Sequence, residues 1–291
     1  MKTLFRQFGI ILFSLLFFTC IYVMDGNAET IFSWNVEESG YKAGSTFNNS
    51  IKKPFVDING YANAIKTISN KYSHSGSQSV EIGYPNDEAG ATFKINFPET
   101  PTLFTRKYEY FAPGWEGNWP VGLKTSRYFT IGTDPSCSSR GWVYHSEKMI
   151  FQSYSSTCNE QYGMGMNSAI MNLDLKTNYP ADVIFGNGHP YIRTGHWYKI
   201  ETWMVMNSAD GVADGVLKIW IDDKTVYSNS AVKWKGSARG ASCGTGWTTM
   251  WFGGNYSGAI CGGPNKTVYR YIDDFYLSTT NDRTVPESTH P

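Results

Sequence analysis

Between Trp197 and Asp222 the chain alternates apolar and polar residues with a period of two. Tyr198, Ile200, Thr202, Met204 and Met206 fall on one side, and Lys199, Glu201, Trp203 and Val205 on the other. After a polar turn, Leu217, Ile219 and Ile221 alternate with Val216, Lys218, Trp220 and Asp222. A period of two over this length predicts two half-buried antiparallel strands rather than a helix. Asp210-Gly211 and Asp214-Gly215 supply residues that tolerate the backbone angles of the connection. The predicted hairpin spans residues 197–227.

Shorter apolar runs bounded by turn residues predict strands at 79–82, 91–97, 106–112, 123–131, 141–145 and 149–154. The last two are expected to form a hairpin across Ser146-Glu147-Lys148. Residues 162–175 form a Met-rich strand region, 179–190 a loop, and 248–253 and 268–278 the closing strands. Residues 29–77 are polar and rich in Gly and Asn, which predicts one N-terminal strand and long loops. No helical periodicity follows the first thirty or so residues. Many strands with turn residues between them predict an all-β chain folded as a two-sheet antiparallel sandwich. A single domain is expected over 29–279, followed by a flexible C-terminal tail at 280–291.

The N-terminus changes the compartment. Basic Lys2 and Arg6 lead into an uncharged apolar run at 8–24, and Gly26-Asn27-Ala28 offers the small residues that a signal peptidase reads. Residues 1–28 are therefore expected to be a signal peptide, cut at Ala28/Glu29. The run is shorter than the roughly 20 residues of a membrane span. Thr19 before Cys20 departs from a lipoprotein box. The mature protein is expected to be secreted or periplasmic/extracellular. Lys2, Arg6 and Asp25 leave with the leader, so 25 basic residues become 23, 25 acidic become 24, and the net charge is −1. No global field then draws the protein to nucleic acid or to an anionic membrane. A polyanionic substrate would have to be held by a local cluster, and a monomer is expected.

Once Cys20 is removed, Cys137, Cys158, Cys243 and Cys261 remain. They allow three connectivities. Pairing 137 with 158 and 243 with 261 is the simplest, and no C-x-x-C spacing supports zinc. Disulfides suit the compartment. Aromatic residues make up 16% of the chain. β-propensity and a sandwich core account for most of them, and exposed rings that stack on the apolar faces of sugars would account for others.

The hairpin pattern, with Trp197, Ile200-Glu201, Asn207-Ser208 and the run Asp214 to Asp223, resembles the concanavalin-A-like jelly rolls of lectin/glucanase type. In particular it resembles the polysaccharide lyases built on that fold. Further segments are similar to the alginate-lyase-like enzymes of polysaccharide lyase family 14. They are 107–115, 120–124, Ser138-Ser139-Arg140-Gly141-Trp142, Trp251-Phe252-Gly253-Gly254-Asn255 and the strand from Tyr269 to Phe275. The resemblance covers roughly 106–278 and leaves the N-terminal third uncovered. It implies a catalytic Lys at Lys124, an S-x-R pair at Ser138 and Arg140, and a Y-x-Y strand at Gln152-Ser153-Tyr154. Here Thr125-Ser126-Arg127 replaces the family's L-P-G, and Gln152 stands where the first Tyr is expected.

The chemistry can be argued without the family. β-Elimination on a uronate needs a donor on the carboxylate to stabilise the enolate formed when H5 leaves. It also needs a base for that proton and an acid for the leaving oxygen. Arg127, Arg140 and Gln152 are suited to the first task, with Ser138 beside them as a substrate-binding hydroxyl. Lys124, His145 and Tyr154 can be base or acid, because burial or a neighbouring cation moves Lys and Tyr toward the neutral or ionised form needed. Each also has a structural reading: a strand-edge cation for Lys124 and Arg127, a loop histidine for His145, a core or rim ring for Tyr154. A glycosidase would need two facing carboxylates, but Glu109, Glu147 and Glu201 are isolated in sequence. No cofactor is required. A structural calcium could sit at Asp273-Asp274, which could equally face solvent. The leading reading is a secreted lyase acting on an anionic polysaccharide. A non-catalytic carbohydrate-binding or surface-adhesive module of the same fold is the alternative.

Overall fold

The computed structural model describes residues 29–37, 40–47, 55–59, 65–85, 92–113, 123–130, 142–151, 164–170, 191–234, 246–253 and 267–283. Among these the strands are β1 (Thr30–Trp34), β2 (Phe55–Asn59), β3 (Ile65–Ser69), β4 (Ser79–Tyr84), β5 (Thr92–Thr100), β6 (Thr102–Phe111), β7 (Leu123–Thr130) and β8 (Trp142–Phe151). They continue with β9 (Met164–Ile170), β10 (Tyr191–Ile192), β11 (Trp197–Val205), β12 (Gly215–Ile221), β13 (Lys224–Val232), β14 (Trp247–Gly253) and β15 (Val268–Ser278). The first sheet runs β13-β12-β11-β6-β15-β4-β3, with β1 along the end of β15; the second runs β10-β9-β8-β7-β14-β5-β2. Every pairing is antiparallel, and at the centre of each sheet the neighbours are distant in sequence: β6 lies between β11 and β15, and β14 between β5 and β7. The all-β, two-sheet antiparallel sandwich read from the alternation is the observed architecture.

The core lies between the sheets. Ile82, Leu103, Met204, Leu217, Ile272 and Leu277 of the first sheet face Phe93, Ile95, Tyr128, Met250 and Phe252 of the second, all buried. Phe252 meets Phe275 across the gap with ring centroids 4.3 Å apart. The chain passes from the second sheet to the first at Pro101, between the end of β5 and the start of β6. Proline has no N–H to lose from a ladder and suits the break in pairing.

The hairpin at 197–227 is present and extends further. β11 and β12 pair one to one from Ile200↔Ile221 to Val205↔Val216, and Tyr198, Ile200, Thr202 and Met204 are buried. The turn is closed by Asp214, which accepts hydrogen bonds from the N–H (2.9 Å) and hydroxyl (2.5 Å) of Ser208. A third strand, β13, then folds back through Asp222 (φ 47°) and Asp223 (φ 66°). Two successive left-handed residues are what the tightest hairpin turn demands, and Asp is among the residues that tolerate them.

Three expectations are corrected. Residues 29–77, read as one N-terminal strand and long loops, carry three strands, β1, β2 and β3. The expected hairpin is absent: β8, from Trp142 to Phe151, is one continuous strand through Ser146-Glu147-Lys148. Those residues include no Gly, Pro, Asn or Asp. All three are paired on both sides, with Arg127, Ser126 and Lys124 of β7 and with Ala169, Ser168 and Asn167 of β9. The chain end is also held further than expected, as far as Arg283. Thr279 N–H donates to the Glu29 carbonyl (3.1 Å), Tyr276 OH to Asp282 (2.8 Å), and Arg283 Nε to Glu201 (2.9 Å). The cause is Glu201, a fully buried carboxylate that needs cations: Arg106 supplies one at 2.8 Å and Arg283 the other. The Arg283 guanidinium also covers the Trp220 ring at 4.5 Å. Arg283→Ala is therefore expected to lower stability by about 1–3 kcal/mol, the worth of a charge-assisted hydrogen bond. A urea denaturation midpoint unchanged from wild type would disprove the anchor.

Candidate active site

The sequence-derived cations stand in the middle of the second sheet. β7 carries Lys124 and Arg127, and β8 carries His145. The backbone register runs two rows across these strands. In one, Lys94 of β5 is opposite Trp251 of β14, Trp251 is opposite Arg127, and Arg127 is opposite Ser146. In the other, Lys124 is opposite Lys148, which is opposite Asn167 of β9. The β7–β8 register shifts between Lys124 and Ser126, leaving Thr125 without a counterpart on β8. His145 is opposite Tyr128, whose hydroxyl lies in the core 3.0 Å from Thr105 Oγ1. The fold thus brings Lys124, Arg127 and His145 onto two neighbouring strands. Opposed residues share a face of the sheet, however, so the register position of His145 is on the side of Tyr128 and that of Arg127 on the other, with Trp251. Ser138, Arg140, Gln152, Tyr154, the four cysteines and the leader lie outside the described residues.

Lys94 and Trp251 join the candidate site although neither is a site candidate from the sequence, where Trp251 figures only in a segment of the family resemblance. Both are half-buried, whereas Phe93, Ile95, Met250 and Phe252, their neighbours along the strands, are buried. That contrast marks the face turned away from the core, and the alternation of β14 was the available signal. On β5 and β14, Thr249 also donates its hydroxyl to Asn96 Oδ1 at 3.1 Å. An indole between a lysine and an arginine in one register row suits a sugar ring bearing a carboxylate.

Behind β7 a second group of charges is sealed inside the sandwich. Glu109 Oε1 accepts hydrogen bonds from Lys107 Nζ (2.9 Å) and Arg270 Nη2 (2.6 Å). Burial acts to lower the Arg270 pKa, but Glu109 and Tyr84 outweigh it and the net shift is upward, so the guanidinium stays charged. Lys107 Nζ also donates to Ser126 Oγ, and Arg270 Nη2 donates to the Thr125 carbonyl at 3.4 Å.

The outer face of the first sheet is built differently. The loop at 70–78 lays Tyr72 over Tyr110 (4.5 Å, stacked) and His74 over Tyr108 (3.5 Å, stacked). Burial, followed by a hydrogen bond with Tyr72, pushes the Tyr110 hydroxyl up to about 12. Burial, then its bond to Glu81, raises Tyr271 as well. These phenols hold their protons and are poor bases. Asp274, in the left-handed region at φ 47°, bonds His74 Nδ1 and Ser75 Oγ, each at 2.7 Å. Asp273 accepts N–H groups of His74, Ser75 and Asp274. The oxygens of this pair are thus engaged. Among the described residues no group of three or more His, Cys, Asp or Glu could hold a metal ion.

Burial, and next the charge of Asp274, pushes Asp273 up to about 8. Its ordinary value is 3.8, so between these limits the folded state keeps a proton that the unfolded chain has released. The stability this provides is complete below about pH 4, falls as pH rises toward 8 and is gone above it. The melting temperature is expected to fall by about 5 °C or more from pH 5 to pH 8.5, at roughly 2–4 °C per kcal/mol for a domain of this size. Asp274→Asn removes the neighbouring charge, and Asn tolerates the left-handed backbone, so the fall should shrink. A variant whose melting temperature has the wild-type pH dependence would refute the coupling.

The same architecture is found in solved enzymes. A double mutant of the alginate lyase Aly36B in complex with alginate trisaccharide aligns with a TM-score of 0.63 at 16% identity, over 87% of this chain and 99% of that one. An endo-β-1,4-glucuronan lyase from the fungus Trichoderma reesei gives 0.57 at 10% identity, over 78% and 92%. A marine PL-14 alginate lyase from Aplysia kurodai gives 0.55 at 16% identity, over 87% and 100%. The fold is that of the β-sandwich polysaccharide lyases. No protein-family model and no curated protein sequence matches the chain, so the likeness is one of structure alone.

Proposed function

We propose that this chain is a secreted polysaccharide lyase that cleaves a uronate-containing polymer by β-elimination. The observation that carries the reading is the register row of Lys94, Trp251 and Arg127 across β5, β14 and β7, with Lys124 on the same strand β7, in a sandwich shared with alginate and glucuronan lyases. Arg127 and Arg140 neutralise the uronate carboxylate, Gln152 donates a hydrogen bond to it, and Ser138 assists binding. A base among Lys124, His145 and Tyr154 removes H5, leaving an enolate spread over the carboxylate. The C4–O4 bond then breaks, O4 takes a proton from the acid member of the same set, and a C4=C5 double bond remains in the product. Donors aimed at charge that develops only in the transition state accelerate the step rather than merely tighten binding.

Incubation with a panel of uronans and glycosaminoglycans is the test. The ultraviolet absorbance of an unsaturated uronate is expected to rise with at least one polymer. A polymer that is bound but never cleaved would instead establish the carbohydrate-binding module. The near-neutral mature charge and the Gln at position 152 favour that second reading.

A further inference from the structure

Lys107, Glu109 and Arg270 have side chains only 1%, 0% and 0% exposed, and they come from the two adjacent strands β6 and β15 of the first sheet. Burying such a cluster is costly, and hydrophobic residues of similar volume are often as stable or more so. What ions offer in exchange is fixed geometry. Here the geometry crosses the sandwich: Lys107 Nζ donates to Ser126 Oγ, and Arg270 Nη2 donates to the carbonyl of Thr125. Both contacts fall on the irregular turn of the β7 ladder, where Thr125 has no counterpart on β8. Lys124 and Arg127 flank that point on either side. A bulge bends its strand and re-aims the neighbouring residues, so whatever holds the bulge governs where they stand.

We propose that Lys107, Glu109 and Arg270 are positioning residues that clamp the β7 bulge from inside the sandwich, setting where Lys124 and Arg127 stand relative to β8 and β14. Glu109 is the keystone. It holds both cations at distances of 2.9 and 2.6 Å, and the cations hold the backbone and hydroxyl of the opposite sheet. This rests on the reading of the second sheet as the catalytic face. The adjacent residue of β6 provides an internal control. Arg106 is also buried and also paired with a buried glutamate, Glu201, at 2.8 Å, but that pair is tied to the chain end at Arg283 and not to β7.

The test compares Glu109→Gln and Ser126→Ala with the control Glu201→Gln, using hydrogen exchange of the 123–130 segment and steady-state kinetics well below each melting temperature. Glu109→Gln and Ser126→Ala are expected to speed exchange in that segment by about tenfold or more. They should lower kcat by about 10–100-fold with KM nearly unchanged, as expected when reacting groups are displaced by a fraction of an ångström to an ångström. Glu201→Gln, whatever its loss of melting temperature, should leave both readouts at wild-type values. Unchanged exchange in Ser126→Ala and Glu109→Gln would overturn the proposal, as would equal effects in the Glu201 control. If Glu109→Gln does not fold, Ser126→Ala decides. If the wild-type protein releases no unsaturated product from any polymer, the lyase reading falls, and the exchange data still decide whether the clamp exists.

Discussion

Lys124→Ala, His145→Ala and Tyr154→Phe, each made alone in folded protein, are expected to include at least one that lowers kcat and kcat/KM together by about 10²–10⁴-fold. Abstraction of H5 creates negative charge that the bound substrate does not have, so the proton-transfer groups act chiefly in the transition state. Losing such a group reduces both parameters equally and spares binding. Polymer affinity measured on the inactive variant should therefore match wild type. Lys124 is opposite a second lysine, Lys148, in the β7–β8 register. His145 is opposite the core residue Tyr128. If all three variants turn over a substrate of the parent at wild-type rates, the chemistry lies elsewhere.

Arg127→Ala and Arg140→Ala should each cost about 10²–10³-fold in kcat/KM, the range seen when one donor to a developing oxyanion is removed. Arg193→Ala should cost little. Arg193 is exposed in the short connection between β10 and β11, away from the β7 rows. Arg127, by contrast, is in register with Trp251 on one side and Ser146 on the other. Reduction of the substrate carboxyl to an alcohol removes the partner of the guanidinium and also prevents elimination, so polymer affinity, measured in place of turnover, should no longer differ between Arg127→Ala and wild type. Equal kcat/KM for Arg127→Ala, Arg140→Ala and Arg193→Ala on the native polymer would remove the arginines from the site.

Local pattern carried as far as local physics reaches. In β11 and β12 every second residue is apolar, and burial followed that alternation from Tyr198 to Ile221 because one face of the strand pair meets the core. The misreading of β8 shows the limit. Ser146-Glu147-Lys148 looks like a turn only while its neighbours are unknown, and two flanking strands supply the hydrogen bonds that keep it extended. Glu201 is similar: its place on the polar side of β11 was read correctly, yet it is fully buried because Arg106 and Arg283 arrive from distant segments.

The sequence by itself determined the all-β class, the two-sheet sandwich and the strand pair β11–β12, since these follow from a period of two and from turn chemistry between neighbouring residues. It also supplied Lys124, Arg127 and His145 as candidates. Only the tertiary structure decided that these three share adjacent strands, that Lys94 and Trp251 join the row of Arg127, and that His145 is in register with the core residue Tyr128. It also decided which face of β6 is inside. Lys107 and Glu109 alternate with Tyr108 and Tyr110, and a strand read alone would turn the rings inward. Here the charges point between the sheets and the rings lie outside, beneath the loop at 70–78. The reason is that a buried charge is stable only where partners far away in sequence come to meet it. Arg270 lies on β15, and Ser126 on the opposite sheet.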